Sequence, residues 1–345
     1  MEVTKMRMAI MGAGSLGTII GALLTKNGYE VDLIDSNVQH VEALNKSGAK
    51  IVGLMELVQP VKALTPEQMT GEYDLFLYLV KSTQHDSALP YVAKHLKPQG
   101  VVVAMQNGIP EDAVAAVVGK ERTVGGIVGW GATWLEPGVS KLTSAPDRMT
   151  YDIGEMDGKD TSRINEIVKI LSAAGIPEKS TNLIGIRWTK LTINCSFSTM
   201  SAVVAGTYGD VLDNPKALTC AAHIWQESLA VAKAAGVSPE PLQGFDIRQL
   251  DFSTQRERDE KMPLFSKLLT PHRNIKTGML YDIEAGRMPE IETAYNGIIC
   301  NWGQKHGVKT PVNEQVLEIV MGMANGKYKI EPANVDRVKI PDIPA

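Results

Sequence analysis

The chain has little of what marks an exported, membrane-bound or nucleic-acid-binding protein. Only three cysteines occur in 345 residues, Cys195, Cys220 and Cys300, an odd number with no CxxC pair. That fits a reduced intracellular protein better than a disulfide scaffold. Cys195 and Cys300 fall in apolar helical patterns and read as buried, inert thiols. No residue set is assigned to a metal. No uninterrupted apolar run is long enough to span a membrane. The apolar stretch Met8–Met11 runs straight into Gly12 without a cleavage-site pattern, so it does not read as a signal peptide. The expected location is the cytoplasm. No basic run is present, and the formal net charge is −4 with a pI near 5.9. Neither a nucleic acid nor an anionic membrane is therefore an expected partner. Internal repeats and low-complexity linkers are absent as well.

What remains is ordinary for a globular enzyme: 44% hydrophobic and 21% charged residues. The length exceeds that of a usual single domain and points to two. The first half alternates strand and helix patterns. Met6–Met11, Glu30–Asp35, Asp74–Val80 and Gly100–Met105 read as strands. Ser15–Lys26, Val38–Ser47 and Gln84–Leu96 read as helices. This rhythm predicts a parallel sheet with crossover helices. Val139–Ser144 and Met149–Ile153 look like an antiparallel extension, followed by a helix over Thr161–Ala174. The second half reads as helical, over Ile184–Val204, Lys216–Ala235, Ser266–Ala285 and Pro289–His306. The expected fold is α/β, an N-terminal Rossmann-type doubly wound parallel sheet with an all-helical C-terminal domain. The expected domains are residues 1–182 and 183–330, with an extended tail over 331–345.

Gly12-Ala13-Gly14-Ser15-Leu16-Gly17 matches GxGxxG between a predicted strand and a predicted helix, the context that makes the motif specific. Gly12 permits the tight turn, Gly14 lets a diphosphate approach the backbone, and Gly17 lets the helix pack on the strand. The helix N-terminus offers amide donors and a positive dipole end to the phosphates. Asp35 closes the second strand, where a carboxylate accepts from the adenosine ribose hydroxyls and repels a 2′-phosphate. NAD(H) is therefore favoured over NADP(H). Asp35 would serve equally to cap the following helix.

Ligands of open α/β sheets sit beyond the C-terminal ends of the strands. Lys81-Ser82-Thr83-Gln84 and Gln106-Asn107-Gly108 follow two such ends. In the first helix of the second half, Lys190, Asn194 and Ser198 recur at i, i+4 and i+8 and share one face of a regular helix. That helix carries only two charges, Arg187 and Lys190, so the polar stripe reads as the wall of a cleft rather than a solvated face. Carbonyl reduction needs a proton donor for the developing alkoxide and a group that holds the substrate. A lysine tuned by its surroundings can be that donor, with Glu290 or Glu292 to orient it.

Together GAGSLG, Lys81 in VKSTQ, Gln106-Asn107-Gly108, Trp188-x-Lys190-x₃-Asn194-Cys195 and Met279-Leu280-x-Asp282-Ile283…Glu290-Ile291…Asn296-Gly297 resemble ketopantoate reductases. The motifs run from Gly12 to Gly297 in the family's order. The resemblance implies an active site between the two domains and NAD(P)H-dependent reduction of a 2-oxo acid, 2-dehydropantoate, within pantothenate and coenzyme A synthesis. It implies Lys190 as general acid and Glu290 as the carboxylate paired with it. Lys81, Gln84 and Asn107 correspond to groups near the cofactor, and Asn107 and Asn194 to substrate contacts. Three positions depart from the family's pattern. Ser198 stands where a second asparagine is usual, Gly278 where a carboxylate-holding serine is usual, and Asp35 where NADP-using members carry a basic or neutral residue.

The residues leave other readings open. A family member acting on a different oxo acid fits Ser198 and Gly278. A dinucleotide-binding sensor would not need the Lys190–Glu290 pair. A dehydrogenase of a phosphorylated substrate would want clustered arginines, and here they are scattered. A long apolar-striped helix fits a homodimer contact as well as a core contact. The charged segment Arg256–Lys261 reads as a solvated helix or loop.

Overall fold

A computed structural model describes residues 6–241 and 244–344. Residues 1–5, 242–243 and Ala345, which the expected domains and tail include, lie outside the described residues. The chain divides into two compact units, Met1–Gln106 with Pro110–Leu183, and Asn107–Ile109 with Ile184–Ala345.

The first unit begins β1 (Met8–Met11), α1 (Ser15–Lys26), β2 (Val31–Ile34), α2 (Val38–Ser47), β3 (Ala49–Gly53), β4 (Leu57–Gln59), β5 (Lys62–Leu64), β6 (Tyr73–Tyr78) and α3 (His85–His95). It continues β7 (Leu96–Ala104), α4 (Glu111–Val118), β8 (Thr123–Val128), β9 (Ala132–Glu136), β10 (Val139–Leu142), β11 (Thr150–Gly154), α5 (Ser162–Leu171) and β12 (Ile176–Lys179). The main sheet runs β12-β11-β8-β7-β6-β1-β2-β5. Its six strands from β5 to β8 are mutually parallel, in the order of a doubly wound dinucleotide-binding sheet. β1 is buried on both faces, and neither side of its MAIM sequence meets water, as expected for a strand covered by helices on both sides. Met8 and Ile10 join the core under α1, α2 and α5, while Ala9 and Met11 join the core under α3 and α4.

The antiparallel extension holds for β11, which pairs antiparallel with β8. β10 instead belongs to a separate four-stranded sheet, β4-β3-β10-β9, antiparallel to β9 and parallel to β3. β3 and β4 are short and half exposed, so they carry no long apolar run for the eye to catch.

The second unit is helical: α6 (Leu183–Ile193), a π turn (Asn194–Ser198), α7 (Thr199–Val203), α8 (Tyr208–Asp213), α9 (Pro215–Ala234), α10 (Gln255–Leu269), α11 (Gly278–Glu284), α12 (Ile291–Ala294), α13 (Asn296–His306) and α14 (Pro311–Ala324). Its core gathers on α9 and includes Trp188, Phe197, Trp225 and Phe265. The buried indoles keep their donors satisfied, Trp188 Nε1 to the Ser228 carbonyl at 2.9 Å and Trp225 Nε1 to the Ile247 carbonyl at 3.1 Å. Two expected helices are broken. Ser266–Ala285 splits after Leu269, where Thr270-Pro271 ends α10 and a turn leads to α11. Pro289–His306 splits at Tyr295. The charged Arg256–Lys261 run lies in α10, which turns Phe265 and Leu269 into the core. The tail is not simply extended: Pro332–Arg337 forms a 3₁₀ helix, Val335 and Val338 are buried, and Gln255 donates to the Ile343 and Pro344 carbonyls. Cys195 and Cys220 are buried and Cys300 half-buried. Burial raises all three thiols, Cys220 to about 12 and Cys300 to about 11, which keeps them protonated and unreactive.

Candidate functional site

In the first unit the chain leaves β1 and turns sharply at Gly12 (φ +99°), where a Cβ would sit 2.6 Å from the Val80 amide nitrogen. Only glycine fits between the adjacent ends of β1 and β6. The amides of Gly12 and Ala13 both donate to the Ile34 carbonyl at the end of β2. Gly17 is pressed against the Gly12 carbonyl, so the first turn of α1 lies directly on the loop. Gly14, the N-cap of α1, has nothing within 4 Å of where a Cβ would lie, and no side chain caps that turn. Ser15 and Leu16 follow, both half-buried. An uncapped helix start behind a glycine with open space before it fits a diphosphate.

A residue that the sequence did not single out holds this loop. His40 is 1% exposed. Its Nδ1 accepts the Gly138 amide proton at 2.9 Å, so its Nε2 carries the ring proton and donates to the Ala13 carbonyl at 2.7 Å. Thr18 Oγ1 donates to the same carbonyl at 2.6 Å. Its only sequence signal is position, three residues after the α2 cap. That cap is Asn37, whose side chain accepts from the His40 amide. Asp35, expected as an alternative cap, instead accepts the Asn37 amide at 2.9 Å and stays half-buried at the end of β2. Lys81 is exposed just beyond β6, next to the Val80 that contacts Gly12, and its carbonyl accepts from the Gln84 amide at 2.8 Å. Gln84 is exposed too.

In the second unit Asn107 Nδ2 donates to Tyr295 Oη at 3.2 Å. The next residue, Gly108, offers its carbonyl to Arg187 Nη1 at 3.3 Å. Arg187 is 3% exposed and lies one turn before Lys190 on α6. This ties the loop that bears Asn107 to the helix that bears Lys190. Lys190 and Asn194 are half-buried. The regular-helix stripe extends no further. The Thr199 amide reaches back to the Asn194 carbonyl, a five-residue π bond instead of a four-residue α bond, so residues past Asn194 are turned back relative to a straight helix. Ser198 is 6% exposed and its hydroxyl lies 2.8 Å from Tyr208 Oη.

Glu290 is half-buried at the cap of α12, whereas Glu292 is exposed. Tyr295 marks the end of α12. Burial first, and then the nearby Glu290 charge, push its phenol well above the ordinary range, so it stays a neutral hydroxyl that accepts from Asn107. The sequence missed Tyr295, although an Asn296-Gly297 step inside a helical run hints at the break. Gly278 is exposed at the start of α11 with open space around its Cβ position. The preceding Thr277 donates to the Ser198 carbonyl at 3.4 Å. An amine, a carboxylate and side-chain amides within one unit can hold an oxo acid and deliver a proton.

The profile of the ketopantoate reductase PanE/ApbA family matches residues 8–158, and that of its C-terminal domain matches residues 182–324. A 2-dehydropantoate 2-reductase of Archaeoglobus fulgidus is 28% identical over 323 residues, 93% of this chain and 98% of its own. One from Pyrococcus horikoshii is 30% identical over 310 residues, 89% of this chain and 94% of its own. In fold the chain is similar to D-mandelate dehydrogenase solved with NADH and anilino(oxo)acetate, at a TM-score of 0.80, 21% identity, and coverage of 93% and 99%. No helix among the described residues is long and apolar enough to cross a membrane.

Proposed function

The chain belongs to the ketopantoate reductase family and is an oxidoreductase acting on a CH–OH donor; from that premise we propose that it reduces 2-dehydropantoate to pantoate, with NADH favoured over NADPH. The observation that carries the reading is the second unit's own geometry: Lys190 half-buried on α6 and Asn194 half-buried at the start of the π turn that follows, with Arg187 tying α6 to the loop bearing Asn107. Gly12–Gly17 would hold the diphosphate of the cofactor, and Asp35 its adenosine ribose. Lys81 and Gln84 would lie towards the nicotinamide. The bound nicotinamide supplies the hydride.

Lys190 protonates the substrate oxygen as negative charge develops there, and Glu290 orients the ammonium and holds the new hydroxyl. Asn107 is held by Tyr295 Oη, so its amide is oriented before substrate arrives. Asn194 donates to the substrate's polar groups. A different oxo acid is the second reading, favoured by Gly278, whose surroundings leave room for a larger group, and by Ser198, whose hydroxyl is already engaged by Tyr208.

The test is steady-state oxidation of NADH and NADPH with 2-dehydropantoate and a panel of other 2-oxo acids, for the wild type and Lys190→Ala. Turnover of 2-dehydropantoate well above the panel supports the first reading, and preference for another acid supports the second. Lys190→Ala should lose a factor of roughly 10² to 10⁴ in kcat. Full activity in that variant sinks the acid assignment.

A further inference from the structure

The π turn is held from outside by a buried polar chain. Glu227 on α9 is 5% exposed, yet it receives three donors. Its Oε1 accepts the Val312 amide at 2.9 Å, and its Oε2 accepts the Asn313 amide at 3.0 Å and Asn313 Nδ2 at 2.7 Å. Asn313 Oδ1 in turn accepts from Asn296 Nδ2 at 2.9 Å. Asn296 Nδ2 also donates to the Cys195 carbonyl at 3.3 Å, and its Oδ1 accepts from Thr199 Oγ1 at 2.5 Å. Asn296 and Asn313 are fully buried. Cys195 lies in the π turn directly after Asn194, and Thr199 closes it.

The chain of bonds has a fixed polarity. The Glu227 carboxylate can only accept, so Asn313 must turn its NH₂ to it and present Oδ1 onward. That requires an NH₂ from Asn296, which then meets the Cys195 carbonyl with its donor and Thr199 with its oxygen. The Thr199 amide reaches the Asn194 and Ser196 carbonyls and passes over that of Cys195, to which Asn296 donates instead.

We infer that Glu227, Asn313 and Asn296 are positioning residues: they hold the π turn open and so set where Asn194 stands relative to Lys190. None of them touches substrate. The inference rests on the reading of Lys190 and Asn194 given above, and predicts that breaking the polarity lowers turnover with little change in cofactor binding. Asn296→Asp sets oxygens against two acceptors. Glu227→Gln is milder: depending on how the amide sits, one or two donors of α14 lose their acceptor.

Both variants should lose roughly 10- to 100-fold in kcat, keep the NADH Kd within about twofold by nicotinamide fluorescence, and exchange the Asn194–Val203 amides faster. Val320→Ala, a buried cavity on α14 outside the chain of bonds, supplies the control: it lowers Tm and should leave kcat alone. Folded Glu227→Gln and Asn296→Asp with wild-type kcat and unchanged exchange would overturn the inference. So would an equal kcat loss in Val320→Ala, which would mean general loosening. Should the wild type reduce no oxo acid at all, the functional reading falls, and the exchange rates alone decide whether the chain of bonds holds the turn.

Discussion

Two alanines in the glycine loop should fail in opposite ways. At Gly14 φ is −64°, outside the left-handed region, and nothing lies within 4 Å of the new methyl. Gly14→Ala should therefore leave the fold intact. Its methyl would occupy the open space before the uncapped first turn of α1, where a diphosphate would come against the backbone. Gly12 is the reverse case. Its φ of +99° already disfavours a side chain, by about 1–2 kcal/mol. The added Cβ would also lie 2.6 Å from the Val80 nitrogen and 2.8 Å from the Leu79 carbonyl carbon. Both are backbone atoms at the end of β6 and cannot swing aside, so overpacking adds about 1–3 kcal/mol.

At about 2–4 °C per kcal/mol for a unit of this size, Gly12→Ala should lower Tm by roughly 5–20 °C. Gly14→Ala should keep Tm within about 3 °C of wild type and weaken NADH at least about tenfold, near 1.4 kcal/mol. Thermal melts without cofactor and nicotinamide fluorescence titrations read the two effects separately. A Gly14→Ala protein with wild-type affinity for NADH would refute the assignment of this loop as the diphosphate cradle.

Two further outcomes follow from single carboxylates. Asp35→Asn should move the kcat/KM ratio of NADPH to NADH at least about tenfold towards NADPH, because removing the charge relieves repulsion of a 2′-phosphate; an unmoved ratio counts against the NADH preference. Asp32 on β2 is buried, which alone would raise its pKa, but Lys62, Tyr73 and Arg7 outweigh burial and hold it below 3.8. A depressed folded pKa contributes stability that is present above pH 3.8 and lost as pH falls through the folded value. Asp32→Asn should thus lower stability at neutral pH by about 1–2 kcal/mol, given that Arg7 and Lys62 reach water, and the gap in Tm should close in acid; a gap that persists at pH 2 would show that the ionised form is not what matters.

Much of this was legible before any coordinates. α1 and α2 begin and end at Ser15–Lys26 and Val38–Ser47, as the periodicity and the flanking Gly28 and Gly48 predict. Glycines stop helices for a local reason, and local reasons survive in a single sequence. What was illegible depends on tertiary partners. Nothing in Ile193-Asn194-Cys195 announces a π turn, because what holds it arrives from Asn296 and Thr199. His40 looked like an ordinary residue of α2, and only the Gly138 amide, 98 residues away, fixes its tautomer against the glycine loop. β3, β4 and β9 were missed because short strands of a small sheet with much of their length exposed have too few buried apolar positions to stand out.

Three of the places where this chain departs from regular secondary structure are also where its candidate chemistry lies. α1 starts without a side-chain cap at Gly14, α6 passes into a π turn at Asn194, and the run from Ile291 to His306 breaks at Tyr295. A regular helix closes its own hydrogen bonds and offers a ligand only side chains at fixed angles. A break frees an amide or a carbonyl, or re-aims a side chain, and the freed group then needs a partner. At Cys195 that partner is Asn296, which immobilises the turn; at Gly14 no side chain takes the role. One backbone group is thus bonded within the core, and the other is the one proposed to meet a ligand. Filling the second with a side-chain cap should therefore cost binding and not stability, whereas removing the partner of the first should cost rate.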